Sequence, residues 1–270
     1  MVAGMDAGRR QLLQLCGGLG LAVALGACSQ RTRARQGAEP ETPVNSVPLT
    51  DAGGPPETVA APQSVPPPVA EPTPPSGVLL CREAWGARPA LPGGRPHRIT
   101  RMTIHHSGVV LSDNRTIAER LRQHQRYHQD EHGWIDIAYH VGIDLDGNIF
   151  ELRDTGLIGD TATDYDPAGH FLVLCEGNFD EQAVPEAQLE SVALVLAWAA
   201  QTFQIRTDTL ASHRDLTSGT SCPGADLQAY VVSGEIRRRV DDLAGGGPIG
   251  LEWKCGHEGA AIMAAIEAGR

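Results

Sequence analysis

The chain has 270 residues, a formal net charge of −11 and a pI of about 5.3. That surplus of carboxylates argues against nucleic acid as a partner, because phosphate recognition needs a basic face. With 41% hydrophobic residues the length suits one domain of ordinary size plus extensions, and six cysteines in such a chain do not make a disulfide scaffold.

The first stretch reads as an address. Arg9-Arg10-Gln11-Leu12-Leu13 resembles a twin-arginine signal, and the apolar run from Leu19 to Leu25 is too short to stay in a bilayer as a spanning helix. Leu25-Gly26-Ala27-Cys28 resembles a lipoprotein cleavage box. It implies a signal peptide over residues 1–27 and a mature chain lipidated at Cys28, which would tie the protein to a membrane. The alternative is an ordinary signal peptide cut nearby. Ser29 after the cysteine, in a Gram-negative cell, resembles a lipoprotein carried across the inner membrane and on to the outer membrane, facing the periplasm. Residues 28–77 follow as a Pro-rich linker, with Val65-Pro66-Pro67-Pro68-Val69 and Pro72-Thr73-Pro74-Pro75 typical. No aromatic residue stands between Arg31 and Ser76, so the segment cannot build a core and is expected to be a disordered, semi-rigid spacer. At about 3 Å per residue it would reach over roughly 100 Å.

The folded domain is expected over 78–244. Arg101 to His106 predicts a strand, and Asn114 to Gln129 a helix with Ile117, Leu121 and either Tyr127 or His128 turned inward. Ala138 to Asp144 and Asn148 to Arg153 predict a hairpin about Asp146-Gly147. Phe171 to Glu176 is an apolar run fit for a buried strand. Pro185 opens a helix to about Phe203, with Leu189, Val192, Leu196 and Phe203 at helical spacing. Thr209 to Ser212 predicts a short strand and Asp226 to Leu243 the last helix. Residues 245–270, after Gly245-Gly246-Gly247-Pro248, form a C-terminal tail with no assigned role. The alternation predicts a single α/β domain with a mixed central sheet flanked by helices.

Chemistry concentrates in His105, His213 and Cys222. Two imidazoles and one thiolate make a tetrahedral zinc site with one position open, which distinguishes a catalytic zinc from a structural one. No Cys-x-x-Cys stands beside Cys222 to close it. His105 and His106 are neighbours on a strand and point to opposite faces, so only one can serve. Other clusters are weaker. His124, His128 and His132 recur at four-residue spacing, but the glutamate of a His-Glu-x-x-His motif is missing, and the spacing also suits a packed or solvated helix face. His140 reads as a satisfied core histidine. Cys81 and Cys175 are candidates for a bridge in an oxidising compartment, or are buried free thiols.

Four pieces resemble the type 2 N-acetylmuramoyl-L-alanine amidases, the family that includes the peptidoglycan recognition proteins. They are Trp85-Gly86-Ala87-Arg88, then Thr103-Ile104-His105-His106, then Gly133-Trp134-Ile135-Asp136-Ile137-Ala138-Tyr139-His140, then His213 to Gly224. The likeness covers about Cys81 to Leu243. It implies zinc held by His105, His213 and Cys222, with Tyr139 and Thr220 as the partners that stabilise the oxyanion and move protons. It also implies peptidoglycan or muropeptides as partner, cut at the amide between N-acetylmuramic acid and L-alanine. Two alternatives stand beside this: a non-catalytic peptidoglycan-binding module, and a zinc amidase for a different amide. Members that only bind typically lack the cysteine, which is present here.

The chain departs from the family in places. His213 and Cys222 lie nine steps apart, one more than usual, so the intervening loop is expected to bulge while the ligands hold. Another branch carries a glutamate at the position of Leu174; Glu176, on the same face of the strand, is a reserve acid/base. Thr161 and Asp166 replace a family histidine and asparagine on the peptide-binding side, which implies altered substrate preference.

Overall fold

A computed structural model describes residues 75–270. The leader, Cys28 and nearly all of the linker lie outside the described residues. Seven strands form one mixed sheet in the order β6-β2-β5-β3-β4-β1-β7. They are β1 (Ser76–Leu80), β2 (Arg101–His106), β3 (Val141–Ile143), β4 (Ile149–Glu151), β5 (His170–Cys175), β6 (Leu210–Ser212) and β7 (Gly250–Lys254). Neighbours are parallel except β3 and β4, the hairpin pair. The helices are α1 (Ile117–Arg126), α2 (Glu186–Phe203), α3 (His213–Leu216), α4 (Ala225–Val232), α5 (Glu235–Gly245) and α6 (Gly256–Glu267).

Period-two alternation sorts the strand side chains into two apolar layers. Leu79, Ile149, Phe171, Val173 and Cys175 face α2 and α5, packing on Leu189, Val192, Leu196, Ile236 and Val240. Leu80, Phe150 and Leu174 face the other way, against Ile117 and Leu121 of α1, Met263 and Ile266 of α6, and Trp85. Every residue of β5 is buried, as a central strand covered on both faces requires. The mixed sheet flanked by helices is therefore the architecture expected from the sequence.

The folded domain starts at β1 with Ser76 rather than at 78, the hairpin strands are shorter than expected, and three further boundaries differ more. Helix α1 starts at Ile117 and passes after Arg126 into a π turn, Tyr127–Glu131; His128 is buried there and Tyr127 is 55% exposed, so the inward residue is the histidine. The helix expected over 226–243 is two helices, α4 and α5. The chain breaks at Gly234, whose φ of 72° is a left-handed turn that favours glycine.

The third difference is larger: the folded unit does not end at 244. The tail supplies β7, which pairs with β1 over five rungs, and α6, which helps bury Trp85. Cys255 is disulfide-bonded to Cys81, with Cα atoms 5.0 Å apart. This corrects the Cys81–Cys175 pairing. Cys175 is free and buried on the α2 face of β5. Three strand spacings separate it from β1, about 14 Å, beyond disulfide reach. The tail is thus a staple for an otherwise unpaired β1 edge. Cys255→Ser is expected to cost about 2–4 kcal/mol, or roughly 5–15 °C in melting midpoint for a domain of this size. Circular dichroism melts of wild type with and without reductant, beside the variant, check this; unchanged midpoints would show the tail to be an appendage.

Candidate metal centre

Strand β2 carries His105 level with Leu174 of β5. Leu174 belongs to the α1-side layer, so its parallel neighbour His105 points to that side as well. On the other flank of β2, strand β6 runs parallel and ends at Ser212, the cap of α3. Ser212 Oγ accepts the Asp215 N–H at 3.3 Å, and the Ser212 N–H donates to Asp215 Oδ2 at 2.8 Å. This reciprocal capping box fixes the backbone that bears His213. The loop beyond α3 returns so that the Arg214 N–H donates to the Cys222 carbonyl at 2.9 Å. Cys222 Sγ then lies 3.7 Å from His105 Nδ1 and accepts the His106 backbone N–H at 3.3 Å.

The ligand atoms of His105, His213 and Cys222 all lie within 4.8 Å of one another, and all three residues are buried. Zinc bonds of about 2.1 Å to nitrogen and 2.3 Å to sulfur, at a tetrahedral angle, place N and S about 3.6 Å apart. The observed separation fits. The longer His213–Cys222 spacing is accommodated in the loop, and the three donors still converge.

Electrostatics suit a cation. Burial, reinforced by His213, His170, His106 and His140, holds His105 well below the usual histidine range. Burial and then His106 push His213 down to about 4. Both rings are neutral near pH 7, as ligation requires. Burial pushes the Cys222 thiol up to about 12, against the opposing pull of the His106 N–H and Arg214. Such a thiol is deprotonated outright when it coordinates a zinc ion.

Tyr139 stands at the edge of this set, half-buried, with its ring centroid 5.0 Å from that of His105. Burial first, then Cys222, Tyr165 and Glu176, raise its phenol above the usual range, so it remains a donor. Thr220 Oγ1 accepts the Cys222 N–H at 3.1 Å, bracing the loop that carries the thiolate.

Two residues escaped the sequence reading. Thr163 Oγ1 lies 2.8 Å from His213 Nε2, and Tyr165 OH lies 3.4 Å from His105 Nε2. Each outer nitrogen is met by a hydroxyl of one loop, leaving Nδ1 as the ligand atom of both rings. The signal was faint: Thr161, Thr163 and Tyr165 alternate inward while Ala162, Asp164 and Asp166 are exposed. Thr161 turns to Thr163, and Asp166 accepts the Ala168 N–H.

The remaining histidines are engaged elsewhere. His106 points away from the centre, packs on Phe179 and accepts its N–H at 3.4 Å. His140 accepts the Leu172 N–H at 2.9 Å and donates to the Leu157 carbonyl at 3.0 Å. His128 accepts the Ala138 N–H, His132 stacks on Trp134, and His124 lies 3.1 Å from Glu176. The helix histidines therefore do not converge on a common point. Glu176 is fully buried, and His124 and Arg120 hold its carboxyl below the usual range against the opposing and largest effect, burial. Its charge is already matched, so it is not a free acid/base.

Fold and site together define a mixed-sheet α/β domain built around a candidate two-histidine, one-cysteine metal centre. The N-acetylmuramoyl-L-alanine amidase family profile matches residues 95–225. Peptidoglycan-recognition protein LB of Drosophila melanogaster is 31% identical over 175 residues, 62% of this chain and 73% of that protein. A human N-acetylmuramoyl-L-alanine amidase is 34% identical over 156 residues, 54% of this chain but 26% of that one. Among solved structures, a tyrosine-to-phenylalanine variant of Drosophila PGRP-LB in complex with tracheal cytotoxin superposes with a TM-score of 0.52 at 29% identity, covering 57% of this chain and 93% of that one. The chain belongs to the N-acetylmuramoyl-L-alanine amidase and peptidoglycan recognition protein family. The matched segment ends before β7 and α6, so the disulfide-stapled C-terminal unit lies outside it.

Proposed function

We propose that this domain is a zinc-dependent hydrolase that cuts the amide between N-acetylmuramic acid and L-alanine in peptidoglycan. The observation that carries the reading is the converged three-donor set of His105, His213 and Cys222. Zinc held by these residues would supply a water of pKa near 7 and a Lewis acid for the carbonyl. The chain's own residues do the rest. His105 and His213 present neutral Nδ1 atoms, and the His106 N–H supports the sulfur. Tyr139 holds a protonated hydroxyl at the margin, suited to donate to a developing oxyanion. Thr220 accepts from the Cys222 N–H and keeps its own hydroxyl proton, which suits it to handle a proton beside the centre. Peptidoglycan as the partner is supported by the relatives' names and by the cytotoxin bound to PGRP-LB.

The test is a digest of purified muropeptides resolved by mass spectrometry, alongside metal analysis of the protein. Release of stem peptides headed by L-alanine from a zinc-loaded wild type supports the reading. A zinc-loaded protein that retains muropeptides uncut would leave a binding module. Cleavage of some other amide would leave a zinc amidase of different preference.

The same proposal places the enzyme in the cell envelope, exported as a lipoprotein whose lipid at Cys28 holds it to the membrane. The support is Leu25-Gly26-Ala27-Cys28 after an apolar core, with a proline-rich reach between anchor and domain. Cys28→Ala is expected to move the protein from the membrane pellet to the soluble fraction. A wild type that is already soluble, with a different mature N-terminus by mass spectrometry, would overturn the anchor.

A further inference from the structure

We infer that Thr163 is a positioning residue that turns Nδ1 of His213 toward the metal, with Thr161 as its support; this rests on the zinc reading. Three atoms lie in sequence. His213 Nε2 is 2.8 Å from Thr163 Oγ1, which is 2.8 Å from Thr161 Oγ1. Thr161 Oγ1 also accepts the Thr163 backbone N–H at 3.1 Å, which holds the two hydroxyls in register. Both threonines are half-buried on the inward side of the 159–169 loop.

Each hydroxyl has one proton to give and two lone pairs to receive. Protons can therefore run along the row in two directions. In one, His213 Nε2–H donates to Thr163, and the Thr163 hydroxyl donates to Thr161. The Nδ1 lone pair is then free to ligate. In the other, Thr161 donates to Thr163, Thr163 donates to Nε2, and the ring proton sits on Nδ1, where it blocks ligation. A metal bound at Nδ1 would select the first direction, in which Thr163 accepts the Nε2 proton and passes its own to Thr161. A partner of this kind fixes both tautomer and ring orientation of a ligating histidine. The hydroxyl of Thr161 faces Thr163, which places it with the ligand cage.

Thr163→Val removes the hydroxyl at nearly constant volume. Zinc affinity, measured by chelator competition, is expected to fall about 10–100-fold, the usual effect of losing an outer partner of a ligand. Thr163→Ser should restore it to within a few-fold. Nitrogen-15 NMR of the zinc-loaded wild type should show His213 protonated at Nε2, and in the zinc-loaded valine variant that proton should exchange faster with solvent. Should the valine variant fail to fold, as judged by circular dichroism, Thr161→Val serves instead, with a smaller loss of affinity expected. Wild-type affinity in Thr163→Val overturns the positioning role, and so does a serine variant as weak as the valine one. A wild type that takes up no zinc overturns the metal reading itself, and with it this one. A zinc-binding wild type with an indifferent Thr163 leaves the amidase reading standing.

Discussion

Cys222→Ser is expected to remove zinc and amide hydrolysis together. Among the described residues the thiolate is one of three candidate donors at the centre, and the anionic one. A serine hydroxyl stays protonated near neutral pH and is shorter, so it neither reaches the same point nor offsets the cation's charge. The loss of affinity should exceed the roughly 10–100-fold typical of removing an outer partner. The fold should survive, because Cys222 lies in a loop already tied by the Arg214 N–H and by Thr220. Zinc content by atomic emission, amide cleavage by mass spectrometry and a circular dichroism melt on one preparation separate these effects. Full activity in Cys222→Ser would place the working metal elsewhere. The helix histidines are poor substitutes, since His124 and His128 are already engaged with Glu176 and the Ala138 N–H.

Tyr139→Phe is expected to do the opposite: keep zinc, keep substrate binding and lose turnover. The ring packs against the α1-side layer and beside His105, contacts that phenylalanine preserves. Only the hydroxyl is removed. A donor of this kind, aimed at a developing oxyanion, is typically worth about 3 kcal/mol, or about a hundredfold or more in kcat. Muropeptide affinity by calorimetry should stay within a few-fold of wild type while kcat falls. An equal fall in affinity and no change in kcat would assign Tyr139 to substrate grip instead. The two variants thus separate the chemistry carried by the metal from that carried by the chain.

Much of this was legible in the linear chain. Strand β2, helix α2, the Asp146-Gly147 hairpin and the buried strand β5 are local statements, set by periodicity and turn chemistry within ten to twenty residues. His105, His213 and Cys222 could be singled out because a thiolate and two imidazoles in a family-like frame are chemically specific. What stayed hidden was non-local. Thr163 and Tyr165 are ordinary loop residues until the fold sets them against rings 50 and 60 positions away. Glu176 read as a spare acid until Arg120 and His124, from the facing helix, were seen to occupy it.

The C-terminal segment marks the division most sharply. By itself the sequence determined that residues after Gly247-Pro248 begin anew, that Cys255 is there, and that two histidines and a cysteine are the candidate ligands. Tertiary structure alone decided that β7 joins the sheet at β1, that Cys255 meets Cys81 across 174 residues, and that Cys175 stays free. The physical reason is that an edge strand exposes a row of unpaired backbone groups, which any compatible segment of the chain can cover. Strand pairing depends on which edges the rest of the fold leaves open, and that is a property of the assembled sheet rather than of any stretch of residues.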